Sequence, residues 1–286
     1  IDCDPGVDDS LALIYAAEKL NLDAVTITAG NTSLENAVSN AYFLREVLNC
    51  DFDIYAGSSE PLDRDLQEAE SHGEMGLGNF DPDQVKFSKN KAIDFLENLK
   101  KSEVHLICLG PLTNIAKCVT RDQNFLDKFK SVTIMGGALN QKGNVTTEAE
   151  FNFWCDPKAA DIVLNTQSMK TVVPIEVCRE VKISNTFFKN QTFLSDLVEP
   201  YSRYYDRENN SEAVMYDPVA LILGAHPDRG ETVLKNLQVS RNNPRGKLEE
   251  GLGKSNTRIF TRISRDEIIE DFKTCLNSWK PVLTKG

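Results

Sequence analysis

Several things are scarce in this sequence, and each shortage removes a class of function. No uninterrupted apolar run approaches the roughly 18 residues that a membrane-spanning helix needs, so a soluble chain with no membrane partner is expected. No Pro/Gly/Ser-rich linker, low-complexity tract or internal repeat divides the 286 residues, which favours a single domain over residues 1–286. Lys and Arg number 32 against 43 Asp and Glu, and the basic residues form no dense cluster. A nucleic acid polymer needs a basic surface to displace its counterions, so it is not an expected partner at a net charge of -11. An uncharged small molecule meets no such objection.

Paired cysteines are missing too. Cys3, Cys50, Cys108, Cys118, Cys155, Cys178 and Cys275 are odd in number, scattered and without a C-x-x-C pair, so neither a disulfide framework nor a zinc site is indicated. They read as reduced, mostly core residues. The chain begins at Ile1 rather than Met, which leaves a preceding segment and a signal peptide open. Four N-x-S/T sequons occur, at Asn31, Asn144, Asn190 and Asn209. The first two fall inside motifs that belong to the candidate site, where a glycan would obstruct it, and a cytoplasmic location is the expectation.

What is present is an alternation of short apolar runs with helical patterns, the signature of a parallel sheet covered by helices on both faces. Strands are expected at residues 1–4, 24–29 (AVTITA), 104–109 (VHLICL) and 132–135 (VTIM), then near 171–177, 233–238 and 258–263. Apolar spacings of three and four predict helices over 8–20 and 33–48, the second opened by a Thr32/Glu35 capping box. Asp156 followed by Pro157 predicts another helix start, near 158–165. Further helices are expected near 92–101, 197–206, 217–224 and 266–280. In an open parallel sheet ligands bind beyond the carboxyl ends of the strands, and there stand Asp4-Pro5-Gly6, Gly30-Asn31, Gly110-Pro111 and Gly136-Gly137.

Three motifs carry chemistry. IDCDPGVDDS packs Asp2, Asp4, Asp8 and Asp9 across a strand, a turn and a helix start. Carboxylates so close repel unless something positive holds them, and a hard divalent cation is the simplest candidate, although helix-capping acids and solvated turn residues would look the same. An EF-hand is excluded, because a loop starting at Asp2 has Val7 and Leu13 where Gly and Glu are required. In GNVTTEAEFNFWCDP, Glu150 and Asn152 would share one side of an extended segment with Phe151 opposite, suited to the vicinal hydroxyls of a sugar or merely part of a polar loop. Tyr216-Asp217-Pro218 before VALIL is on its own only an N-cap and first-turn proline. The stretch from His72 to Phe80 reads as a flexible Gly-rich loop matching no phosphate-binding motif, with a solvated His as the ordinary expectation.

Together these pieces resemble the inosine-uridine nucleoside hydrolase family. The match runs from DCDPGVDD (2–9) through GNTSLENAVSNA (30–41), HGEMGLG, LGPLTNIA (109–116), MGGALNQKGNVTTEAEFNFWCDP (135–157) and YDPVA (216–220), nearly the whole chain in order. The resemblance implies an α/β fold with an open, mostly parallel sheet flanked by helices, and one tightly held Ca²⁺ at the strand C-termini. It assigns the ion to Asp4, Asp9, Asp217 and the backbone carbonyl of Leu109. It assigns the ribose hydroxyls to Asp8, Asn31, Asn144, Glu150 and Asn152, with Met135 and Phe151 lining the pocket, and makes Asp4 the base that takes a proton from water. The expected substrate is a ribonucleoside and the expected assembly a homo-oligomer, dimer or tetramer.

One departure matters. The family often has a His before the late Asp to protonate the leaving base, and this chain has Tyr216. Purine-specific members place an aromatic residue there, which leans the expectation toward purine nucleosides and leaves His72 as a second candidate proton source. Two rivals stand beside this reading. A haloacid dehalogenase-type phosphatase would use Asp2 as nucleophile and Asp4 as acid, but leaves GNVTTEAEFN and YDP unexplained. A catalytically silent nucleoside- or calcium-binding protein is compatible with Tyr216.

Overall fold

In the computed structural model the described residues are 1–89, 91–100, 103–189, 191–206 and 212–282. The sequons at Asn190 and Asn209 lie outside them. The first half alternates strand and helix: β1 (Asp2–Cys3), α1 (Val7–Lys19), β2 (Ala24–Ile27), α2 (Leu34–Leu48), β3 (Asp53–Ala56), α3 (Lys91–Asn98), β4 (His105–Cys108), α4 (Thr113–Arg121), β5 (Ser131–Met135), α5 (Phe151–Cys155), α6 (Pro157–Leu164) and β6 (Lys170–Val173). The second half is less regular: α7 (Ile175–Cys178), β7 (Lys182–Ser184), α8 (Asn185–Phe188), α9 (Thr192–Asp206), β8 (Glu212–Val214), α10 (Tyr216–Ala225), β9 (Gly230–Lys235), β10 (Leu237–Val239), β11 (Leu248–Glu250), β12 (Thr257–Ile263) and α11 (Arg265–Ser278).

The main sheet has eight strands in the order β3-β2-β1-β4-β5-β6-β12-β9. All neighbours pair parallel except β12 and β9, so the expected open, mostly parallel α/β sheet is present with one antiparallel edge. The inner strands are buried on both sides, which is why AVTI, HLIC and SVTIM read as near-continuous apolar runs rather than as alternating ones. One buried cluster gathers α1, α2, α10 and α11, and a second gathers α4 and α6.

This strand order fixes the position of the site. From β1 the chain adds β2 and β3 to one side, then crosses back to place β4, β5 and β6 on the other. The connections leaving β1 and β4 therefore diverge and open a crevice beyond the strand ends, the usual ligand position in such sheets. Asp2 is in register with Cys108, so Asp4 and Gly110 emerge side by side at this switch point.

Local starts and stops follow the side chains, with some departures from expectation. Asp156 caps α6 by accepting from the Ala159 N–H at 3.0 Å, with Pro157 at the first helical position as expected. The cap of α2 is Ser33 rather than Thr32: its hydroxyl accepts from Asn36 N–H at 3.3 Å, and Thr32 instead accepts from the Asn36 side chain at 3.0 Å. The strand expected to 177 stops at Val173, because Pro174 cannot donate to a ladder and α7 begins behind it. The strand expected over 233–238 divides into β9, on the sheet edge, and β10, which pairs with β11. β3 and α4 were not expected: β3 is only four residues long, whereas α4 buries Ile115, Ala116, Cys118 and Val119 on one side, a helical spacing that the sequence does carry. All seven cysteines are free, and only Cys50 is not fully buried.

Candidate active site

A cavity of about 350 Å³ opens at the switch point. Its lining joins the start of α1 and the segments at the ends of β2, β4 and β5 to residues of α5, α9, α10 and the long connection between β3 and α3. Of the expected site residues, Asp8, Asn31, His72, Leu109, Met135, Asn144, Glu150, Phe151, Asn152, Tyr216 and Asp217 line it. Asp4 and Asp9 lie just beneath, both buried.

The floor is acidic. One oxygen from each of Asp8, Asp9 and Asp217 lies within 4.8 Å of the others. Asp9 is held hard: its carboxylate accepts from the N–H of Asp4 at 3.3 Å, the N–H of Gly6 at 3.0 Å and the Asn31 side chain at 2.9 Å. Asp4 accepts from Asn31 N–H at 2.7 Å through Oδ2, while its buried Oδ1 has no hydrogen-bond partner. Its carboxylate sits in a slot that only glycine allows. A Cβ on Gly30 would come within 2.1 Å of one Asp4 oxygen, and one on Gly110 within 2.3 Å of the other.

Without a counter-charge these groups cannot all ionise. Burial and the neighbouring Asp9 charge push the Asp4 carboxyl well above the usual carboxylate range and lift Asp8 to about 8. Asp217 is raised by burial and by the charges of Asp8, Asp9 and Asp4 together. No Lys or Arg lines the cavity among the described residues, so for these acids all to be ionised the compensating charge would have to come from a ligand. Carboxylate oxygens and the Leu109 carbonyl make an all-oxygen donor set, which suits a hard cation such as Ca²⁺. The orphaned Asp4 Oδ1 fits the same requirement, since a buried carboxylate oxygen left bare is costly.

Asp2 takes no part in the cavity. It is turned into the sheet, where Thr26 Oγ1 donates to it at 2.6 Å and Asn114 Nδ2 at 2.9 Å, and burial lifts its carboxyl to about 6.

The Glu150–Asn152 segment differs from the extended arrangement expected. Glu150 is the N-cap of α5, and only it is extended; Phe151 and Asn152 are already helical. Glu150 Oε1 accepts from Asn152 N–H at 2.7 Å, and Oε2 from Gly137 N–H at 2.8 Å and Phe153 N–H at 3.2 Å. The acid takes up the free N–H groups of a helix start, and this stabilises the helical conformation over the strand. Asn152 Nδ2 donates to the Leu109 carbonyl at 2.6 Å, and Asn144 Oδ1 accepts from Phe151 N–H at 2.9 Å.

His72 is the sharpest correction, because the ring expected in solvent is buried. Its Nδ1 accepts from Val7 N–H, at the first turn of α1, at 2.9 Å, and lies 3.8 Å from Asp8 Oδ1. An Nδ1 that accepts carries no proton, so the ring is neutral with its proton on Nε2, and burial pushes its pKa down to about 3. The loop itself is anchored: Gly73, Gly76 and Gly78 take left-handed conformations, and Asn40 Nδ2 donates to the Pro5 and Met75 carbonyls at 3.0 and 2.9 Å.

The model of the inosine-uridine preferring nucleoside hydrolase family matches residues 1–270. The chain belongs to that family. It is 34% identical over 247 residues to uridine nucleosidase 1 of Arabidopsis thaliana, covering 80% of this chain and 74% of the relative. It is 31% identical to the inosine-uridine preferring nucleoside hydrolase of Leishmania major, covering 77% and 76%. The purine-preferring ribonucleoside hydrolase structure from Gardnerella vaginalis superposes with a TM-score of 0.88 at 25% identity, covering 96% of both chains. The enzyme is accordingly a nucleoside hydrolase.

The part of this nucleoside hydrolase site that sequence reasoning missed is the wall above the floor. Tyr201 and Tyr204 from α9, Trp154 from α5 and residues 68–71 all line the cavity. The Tyr201 and His72 ring centroids are 5.2 Å apart, and Tyr201 donates to the Val214 carbonyl at 3.0 Å. The spacing of Tyr201 and Tyr204 puts them on one face of a helix, the only local signal they offer.

Proposed function

We propose that this enzyme hydrolyses the N-glycosidic bond of ribonucleosides to free base and ribose, with calcium as its metal. The observation that carries the proposal is the unpartnered Asp4 Oδ1 among the buried acids Asp8, Asp9 and Asp217, in a cavity lined by no Lys or Arg among the described residues. The same absence of Lys and Arg speaks against a phosphatase, which needs positive charge around its phosphate. Asp4, Asp9, Asp217 and the Leu109 carbonyl would hold the ion. When bound, calcium supplies Lewis-acid activation of water and a positive anchor for vicinal hydroxyls.

The chain's own residues supply the rest. Asp4, fixed between Gly30 and Gly110, takes the proton of the attacking water. Asp8, Asn31, Asn144, Glu150 and Asn152 orient the ribose hydroxyls, and Met135 and Phe151 close the sides of the pocket. Their positions are set by the hydrogen bonds of Asp9, Asn31 and Glu150, so little reorganisation accompanies development of positive charge on the sugar. On the base side, Tyr216 offers a ring for stacking, and His72 offers a neutral Nε2–H whose tautomer the Val7 N–H fixes.

Tyr216 favours purine nucleosides, whose larger face gains more from stacking. A second reading, preference for uridine, is favoured by the 34% identity to a uridine nucleosidase. The test is a panel of inosine, adenosine, guanosine, uridine and cytidine with and without chelator, with free base as the product measured. Release of base from purines before pyrimidines supports the first reading, and the reverse order the second. A phosphate ester cleaved in place of any nucleoside, or no turnover at all, overturns the proposal. Assembly as a homo-oligomer, dimer or tetramer, is part of the same proposal and is checked by sedimentation, with a monomeric mass counting against it.

A further inference from the structure

Arg245 lies outside the acid cluster and hydrogen-bonds to no carboxylate among the described residues, yet the ring it covers, Trp154, lines the cavity. Its guanidinium carbon stands 3.7 Å from the centroid of the Trp154 ring. Nε donates to the Trp154 carbonyl at 2.7 Å, Nη2 to the Cys155 carbonyl at 3.3 Å and Nη1 to Gln67 Oε1 at 2.7 Å. The next residue, Gly246, has φ +74°, and a Cβ there would come within 2.5 Å of the Trp154 Cα, so this chain segment is seated directly on the tryptophan. The same segment braces the wall on both sides. Lys247 bridges to Ala149, and the Arg241 carbonyl accepts from Arg64 at 3.2 Å.

We propose that Arg245 is a positioning residue for substrate: it fixes the Trp154 ring and ties it through Gln67 to the segment ending at His72, making one rigid wall at the cavity mouth. All three of its hydrogen bonds go to neutral oxygens, and its flat face lies on an indole. The planar fork therefore matters more than the charge, and lysine cannot reproduce it. Trp154 is not among the groups assigned to the ion, the attacking water or the ribose. Losing its alignment removes binding shared by ground and transition states, which shows in KM rather than in kcat.

The inference rests on reading this cavity as the nucleoside site. The experiment is steady-state kinetics with inosine and uridine on Arg245→Ala, Arg245→Lys and Gln67→Leu, beside Asp4→Ala as the control for the site itself. Arg245→Ala and Arg245→Lys are expected to raise KM about tenfold with kcat within about threefold of wild type, and Gln67→Leu to give a smaller rise. Guanidinium ion at low millimolar concentration should restore part of the KM of Arg245→Ala and none of Gln67→Leu. Trp154→Leu combined with Arg245→Ala should add little to either alone, since both act through one ring. Wild-type KM in folded Arg245→Ala, or full rescue by lysine, overturns the assignment. If Arg245→Ala does not fold, wild-type KM in Gln67→Leu together with full rescue by lysine does so. Full activity in Asp4→Ala overturns the reading of the site instead.

Discussion

The acidic floor of the cavity draws Asp4 from the turn between β1 and α1 and Asp8 and Asp9 from the first turn of α1, whereas its mouth is assembled over long distances. There Arg245 reaches across 91 residues to Trp154 and 178 residues to Gln67. In the floor, chemistry dictates residue type and spacing: oxygen donors must converge, glycines must clear room for Asp4, and the strand order brings the late Asp217 alongside. In the mouth, geometry dictates position, and several residue types would do. Changes in the floor should therefore cost catalysis, and changes in the mouth should cost affinity or stability.

The largest effect expected is in the floor. Asp4→Ala removes the proposed base and a proposed metal ligand, and Asp9→Ala removes a proposed ligand together with the anchor for Asp4 N–H, Gly6 N–H and Asn31. Each should lower kcat by about a thousandfold or more. Near-normal turnover in either folded variant would remove the distinction between floor and mouth.

Next in size is the response to the sugar. With inosine and 2′-deoxyinosine as a pair, kcat/KM should fall by several powers of ten for the deoxy compound, roughly 4 kcal/mol or more, because buried partners of the missing hydroxyl are left unpaired. Comparable values for the two would show that Asp8 and Asn152 do not hold that part of the ring.

Asp156 sharpens the contrast from the mouth. Its carboxylate accepts from the Leu62 N–H at 2.9 Å, Thr113 Oγ1 at 2.8 Å and the Ala159 N–H at 3.0 Å, pinning the long connection after β3 to α4 and α6. Asp156→Ala should destabilise by about 1–3 kcal/mol in denaturant unfolding, with kcat little changed. A collapse of kcat at unchanged stability would mean that the mouth takes part in the chemistry.

The smallest effect belongs to Tyr216, between the two regions. If the ring stacks on the base, Tyr216→Phe costs little and Tyr216→Ala roughly 1 kcal/mol of transition-state stabilisation, more for purines. If the hydroxyl donates to the leaving base, Phe is as damaging as Ala. Both variants then recover on p-nitrophenyl riboside, which needs no protonation.

Floor and mouth also differ in how much could be read from sequence. The strand ends and the Asp-Pro helix start of α6 are local patterns that led to the sheet and the switch point, while most of the cavity lining came through the family resemblance that the D-x-D-P-G-x-D-D run and its companion motifs carry. His72 was misread because its burial depends on a backbone N–H 65 residues away. The Glu150–Asn152 segment was misread because an acid and an amide two apart suit an extended segment until helix-start N–H groups claim the acid. Trp154 and Arg245 left no sequence signal and Tyr201 only its helical spacing from Tyr204, since a ring that packs on a guanidinium or lines a wall looks like any other aromatic residue. The expected Thr32/Glu35 box failed on competition between adjacent caps: Ser33 serves the helix and Thr32 serves a side chain.

The central claim is that the buried acids hold calcium for hydrolysis of the glycosidic bond. It is tested most directly by stripping the protein with chelator, removing the chelator, and titrating calcium back while following hypoxanthine release from inosine. The account predicts that release stops in the stripped protein, returns in proportion to calcium up to a single ion per chain, and does not return in Asp9→Ala. Undiminished release by protein shown to carry no metal would contradict it.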